Sequence, residues 1–94
     1  MRLLIAYDVA TGDSAGQRRL RRVARACSDY GQRVQKSLFE CCLSATQWAA
    51  LQVRLLDEID PAADSLRVYY LDEDTQIEHH GGHAPLDWDD SLIV

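Results

Sequence analysis

Eight residues near the N-terminus, LLIAYDVA from Leu3 to Ala10, constrain this chain most. The run is apolar, partly β-branched and aromatic, and of strand length. Alternation puts Leu3, Ile5 and Tyr7 on one face and Leu4, Ala6 and Asp8 on the other. A carboxylate therefore closes an otherwise apolar strand, and the polar segment TGDSAGQ follows it. Rigid backbone on one side and a solvated loop on the other suit a metal-binding or general-base carboxylate. The competing reading makes Asp8 a turn former that accepts from nearby backbone N–H groups.

A helix follows. Ser14 is the expected N-cap, with Gln17 three residues on as in a capping box. The helix runs to about Tyr30 and stops at Gly31, read as a C′ glycine. Leu20, Val23, Ala24 and Cys27 recur at i, i+3, i+4, i+7 and mark its buried stripe. Arg18, Arg21, Arg22 and Arg25 fall opposite that stripe, with Arg19 on the flank. Five arginines within eight residues repel one another, and no acidic residue lies between Asp13 and Asp29. A face of one sign points to phosphate, which the arginine fork binds through two N–H groups. The alternative is a merely solvated helix face.

The segment QRVQKSLFECCL, Gln32 to Leu43, changes its apolar phase near Gln35 and Lys36, so a bulge or tight turn separates two short strands. Arg33 and Lys36 extend the basic surface there. Ser44 and Gln47 form a second capping box. Trp48, Leu51, Leu55 and Ile59 are the buried stripe of a second helix, widened by Ala49, Val53 and Leu56, and Asp60-Pro61 ends it. SLRVYYL, Ser65 to Leu71, is a strand with Leu66, Val68 and Tyr70 on one face. TQIEH reads as a short edge strand, GGHAP as a loop, and SLIV, Ser91 to Val94, as an apolar tip that tucks in or pairs with a neighbouring sheet edge. HHGGH, with His79, His80 and His83, has three imidazoles, but the Gly-Gly insert fixes no geometry and a solvated loop is the preferred reading. Trp88 in the acidic tail is a candidate interface anchor.

The order strand, helix, two strands, helix, strand is that of an α+β, ferredoxin-like βαββαβ sandwich with a C-terminal strand extension. The expected layout is one domain over residues 1–94, with a core of about 1–71 and an extension of 72–94. Two helices cover one face of a four-stranded antiparallel sheet. The opposite face carries Leu4, Ala6, Tyr69 and Leu71, so it is not fully polar, and a homodimer through it is expected. The net charge of −5 hides an asymmetry. Residues 1–47 carry eight Lys/Arg against four Asp/Glu, a balance of +4, and residues 48–94 carry two against eleven, −9. One basic face or edge is therefore expected whatever the overall charge. No apolar run approaches the roughly 20 residues of a membrane span. Three cysteines, Cys27, Cys41 and Cys42, without C-x-x-C spacing read as reduced, mostly buried thiols of a cytoplasmic protein. Neither a P-loop, a dinucleotide-type glycine fingerprint nor a GxSxG elbow occurs.

YDV at Tyr7–Val9, the arginine helix RRLRRVARAC and DYGQRVQKSLFEC at Asp29–Cys41 together closely resemble the Cas-two family of small CRISPR-associated adaptation proteins, in a form similar to the type I-C branch. The match runs from about Met1 to Leu71, and DEIDPAADSLRVYYL lies where the family places its second-helix exit and fourth strand. The acidic DEDTQ departs from the basic residues often found there. The resemblance implies a ferredoxin-like homodimer in which Asp8, paired across the two-fold axis, binds a divalent metal, usually Mg2+. It also implies nuclease activity on RNA or double-stranded DNA, and a place as the central dimer beside the CRISPR integrase during spacer acquisition. The family's C-terminal strands cross to the partner protomer or contact the integrase. Asp8 is then both catalytic residue and metal ligand, and Arg18, Arg19, Arg22, Arg25, Arg33 and Lys36 are the nucleic-acid contacts. Two readings stand side by side, a nucleic-acid-binding scaffold for integration and a metal-dependent endonuclease. A stand-alone ferredoxin-like toxin-type nuclease or regulatory module without a CRISPR role is the alternative.

Overall fold

A computed structural model describes residues 1–82. The elements run β1 (Arg2–Asp8), α1 (Ser14–Tyr30), β2 (Gln32–Gln35), β3 (Leu38–Cys42), α2 (Ala45–Glu58) and β4 (Ser65–Leu71). The strands form one antiparallel sheet in the order β2-β3-β1-β4, the ferredoxin-like arrangement. Lys36 and Ser37 make the β2–β3 turn, and the register also shifts between Arg33 and Gln35, so both a turn and a bulge are present.

Both helices pack on one sheet face. Leu3, Ile5 and Tyr7 of β1, Phe39 and Cys41 of β3, Val23, Ala26 and Cys27 of α1, and Trp48, Leu51 and Leu55 of α2 are buried together. Leu66 and Val68 of β4 pack against them. Phe39 faces Ile5 in the ladder and stacks on Tyr7 with ring centroids 6.1 Å apart. Each fully buried Phe, Leu or Ile contributes about 1.5–3 kcal/mol relative to exposure. Trp48 donates its indole N–H to the Tyr70 hydroxyl at 3.2 Å, fastening α2 to β4. Burial pushes the thiols of Cys27 and Cys41 up to about 12 and about 11.

Four local expectations change. Asp13, not Ser14, caps α1, accepting from Gly16 N–H at 2.8 Å, because Ser14 is already helical. Gly31 has extended backbone, φ −154° and ψ −167°, so it is not a left-handed cap. It is needed for space: a Cβ there would stand 2.4 Å from Cys41 Sγ and 2.6 Å from the Glu40 carbonyl oxygen. Val53 and Leu56 do not widen the α2 stripe; they are 63% and 55% exposed, since the helix turns them away from Leu51 and Leu55. TQIEH is not a strand. The buried Arg2 guanidinium collects the carbonyls of Asp72, Glu73 and Thr75, and these bonds draw the chain into a turn closed by Thr75 N–H on Asp72 O. The capping box of Ser44 and Gln47 forms as read. His83, Trp88 and the SLIV tip lie outside the described residues.

Candidate functional site

Strand alternation decides where the chemistry sits. Asp8 is the last residue of β1 and shares a face with Leu4 and Ala6, the face away from the helices. Its ladder partner is Ser65, the first residue of β4. Asp8 is exposed, and its carboxylate makes no hydrogen bond or ion pair among the described residues. The acceptors that shape the following loop are Asp13 and Asp64, so the turn-forming role falls to them. The sheet face around Leu4 also holds a groove of about 530 Å³, with Leu4, Val34, Leu38, Leu71 and Ile77 as its apolar walls and Glu40 and His80 among its polar ones; Asp8 lies outside this lining, farther along β1.

The arginines fall into three groups. Arg18, Arg21, Arg22 and Arg25 line one shallow depression on the solvent side of α1. Arg22 approaches Glu58 at 3.8 Å, while Arg18, Arg21 and Arg25 have no ion pair among the described residues. Their side chains point away from the Val23, Ala26 and Cys27 stripe, hence away from the sheet. Arg19 does not join this ridge. Its Nε donates to Asp64 Oδ2 at 2.8 Å and its Nη2 to Asp64 Oδ1 at 3.2 Å, so it is engaged within the fold. That bond holds the Asp64 carboxyl well below its ordinary value, at about 2. Arg33 on β2 stands over the Phe39 ring, 5.2 Å from its centroid, and Lys36 is exposed in the hairpin turn.

The sheet therefore separates the two chemistries within one chain. The arginine ridge is on the helical side and Asp8 on the open side. Sequence reasoning missed Arg67, which faces Ala6 across the β1–β4 ladder and so shares the open face with Asp8. It is exposed and donates to the Tyr69 hydroxyl at 3.3 Å. The signal was available in the period-2 set Ser65, Arg67, Tyr69, Leu71. Asp64 was missed as well, and no local pattern marks it among the acids of DEIDPAAD.

Among the described residues no three His, Cys, Asp or Glu side chains come together to hold a metal ion. His80 pairs with Glu78 at 2.9 Å at the surface, in keeping with a solvated loop. Asp8 alone fits Mg2+ as a partial site, because that ion takes oxygen ligands and keeps several waters. A second carboxylate would have to come from another copy. None of the described helices is long and apolar enough to cross a membrane.

The family described as CRISPR associated protein Cas2 matches residues 1–78. The chain is 49% identical to the CRISPR-associated endoribonuclease Cas2 of Chlorobaculum tepidum, with all of both chains covered. It is 47% identical to the CRISPR-associated endonuclease Cas2 of Halalkalibacterium halodurans, with 99% of each covered. The crystal structure of Streptococcus pyogenes Cas2 at pH 6.5 superposes with a TM-score of 0.76 and 44% identity, covering 86% of this chain and 100% of that one.

Proposed function

The chain belongs to the CRISPR-associated Cas2 family, and from that membership we propose that it is a nucleic-acid-binding homodimer and a Mg2+-dependent endonuclease of CRISPR adaptation. The observation that carries this reading is the placement of Asp8. It is an exposed carboxylate, unbonded among the described residues, at the end of an apolar strand, on the sheet face that also carries Leu4 and Leu71. Pairing two copies through that face buries the apolar surface and brings two Asp8 side chains toward one axis. The names of the two relatives, one an endoribonuclease and one an endonuclease, support nuclease chemistry and leave RNA and DNA both as substrates.

Two Asp8 carboxylates, one from each copy, would hold the ion. A bound divalent cation supplies a more acidic water and offsets charge on the attacked phosphodiester. This chain's own part is to aim Asp8 from the strand end and to bring Arg67 onto the same face as a phosphate contact.

A second reading, the scaffold beside the CRISPR integrase, has its own support. One candidate carboxylate per chain is sparse for hydrolysis, and Arg18, Arg21 and Arg25, without ion pairs among the described residues, lie on the far side of the sheet from it. Asp8→Asn separates the two. Cleavage of labelled RNA and duplex DNA with Mg2+ should fall to background, while binding of the same duplex and integration with the partner integrase persist. Wild-type cleavage by the variant would rule out Asp8 as metal ligand. Loss of integration would make cleavage part of the adaptation step.

A further inference from the structure

Asp8 has no side-chain partner among the described residues, so its aim depends on the backbone that carries it. That backbone is held from both directions. On the strand side, Asp8 lies opposite Ser65 in the β1–β4 ladder. On the loop side, Val9 is buried in the core, and the next residue, Ala10, is gripped at both its polar groups. Ala10 N–H donates to Asp64 Oδ1 at 3.0 Å. The Ala10 carbonyl accepts from Arg19 Nη2 at 3.5 Å and lies so close to α1 that a Cβ on Gly16 would stand 1.9 Å from its oxygen. The Asp64 side chain is fully buried and also accepts from Arg19 Nε at 2.8 Å and from Asp60 N–H at 2.8 Å. One carboxylate thus ties together the loop after β1, the first turns of α1 and the turn before β4. Asp64 immediately precedes Ser65, the residue that faces Asp8.

We propose that the Arg19–Asp64 pair is a positioning device for Asp8, fixing the Ala10 peptide so that the Asp8 carboxylate meets a divalent cation at a set angle. The proposal rests on the reading of Asp8 as metal ligand given above. In this reading Arg19 and Asp64 act on Asp8 through the Ala10 peptide, not as metal ligands or substrate contacts. They act where hydrogen-bonding partners act in other metal sites, except that they grip the ligand's backbone two residues along the chain. A purely structural pair would fasten the two loops and leave cation affinity alone, apart from any general loss of stability.

The test uses the full-length, 15N-labelled protein and Mn2+, whose paramagnetism broadens amide signals close to it. Four proteins are titrated well below their melting temperatures: wild type, Asp8→Asn, Asp64→Ala and Val68→Ala. The last loosens the core beside Ile5 without touching the clamp. The amides of residues 7–10 report binding. Asp8→Asn should abolish their selective broadening. Asp64→Ala should raise the Mn2+ concentration at half-broadening about tenfold or more, the usual cost of removing a support behind a metal ligand. Val68→Ala should match wild type. If Asp64→Ala fails to fold, Arg19→Ala carries the same test through the other half of the pair. A midpoint for the clamp variant equal to that of Val68→Ala, with broadening lost in Asp8→Asn, overturns the clamp and leaves the Asp8 site standing. Unchanged broadening in Asp8→Asn overturns the Asp8 site and the clamp with it.

Discussion

Changing Arg18, Arg21 and Arg25 together to Ala should flatten the salt dependence of duplex binding by almost three ionic contacts. These three have no ion pair among the described residues, whereas Arg22 leans toward Glu58 and Arg19 is bound to Asp64. The seven steps from Arg18 to Arg25, at about 1.5 Å each, make the ridge about 10 Å long. One strand of B-form DNA presents a phosphate about every 3.4 Å of axis, so the ridge matches about three phosphates. Each lost contact removes about 0.9 from the slope of log K against log salt, giving a change of about 2.7. Between about 50 and about 200 mM salt the wild type should then lose about 40-fold more affinity than the variant. Fluorescence anisotropy with a labelled duplex over a KCl series measures this directly. Arg54→Ala is the control for loss of an arginine that is already paired, because Arg54 is held by Asp29 at 2.8 Å and should leave the slope alone. The triple variant should melt at the wild-type temperature or slightly above it, since like charges at i+3 and i+4 are relieved. A slope equal to that of wild type would show that the ridge is only solvated.

Three further outcomes follow from the packing. Gly31→Ala should cost about 1–3 kcal/mol through overpacking against Cys41 and the Glu40 carbonyl, lowering the melting temperature by about 10 °C, whereas Gly12→Ala, which meets nothing within 4 Å, should be neutral. An unchanged melting temperature for Gly31→Ala would refute the close approach. Asp64 has a depressed folded value, about 2, so its stabilising effect is present above about pH 4 and lost as pH falls toward about 2. Thermal melts over that range should show wild type losing its advantage over Asp64→Asn, and a constant gap would contradict the pairing with Arg19. At pH 8, iodoacetamide should label native protein at Cys42 and spare Cys27 and Cys41, whose thiols are buried and pushed up to about 12 and about 11, and mass spectrometry before and after unfolding reads this out.

The elements were legible where a local period carried them. Alternation in LLIAYD assigned both faces of β1, and the spacing of Trp48, Leu51 and Leu55 assigned the inner side of α2. The helix wheel also contained the error at Val53 and Leu56, which fall about 200° and 100° from their buried neighbours and so face water. The cap of α1 slipped by one residue because Asp13 and Ser14 are both good caps and only the direction of Gly16 N–H decides between them. What the sequence could not show was anything set by distant partners. The helix wheel put Arg19 on the flank of the ridge but gave it no partner, and its fate was decided by Asp64, which lies 45 residues along the chain. The fold of DEDTQ was decided by Arg2 at the other end of the described chain. Composition suggested a basic surface over residues 1–47, and the structure divided it into an open ridge on α1, an internal clamp at Arg19, and Arg33 and Lys36 beside the hairpin turn.

That division bears on how binding and cleavage relate. A phosphate held by Arg18, Arg21 or Arg25 lies beyond α1, with the helix and the sheet between it and Asp8 of the same chain. In the homodimer proposed above, the open faces meet, so the two Asp8 residues lie inside and the two ridges face outward at opposite ends. A long duplex can then track from ridge to ridge over the outside without presenting a phosphodiester to the carboxylates. A strand reaching Asp8 must enter beside β4, where Arg67 and Tyr69 stand on the open face. The same dimer would thus hold duplex DNA by one surface and cut a phosphodiester at another. Neutralising the ridge should weaken the grip on duplexes without abolishing metal-dependent cleavage of short strands.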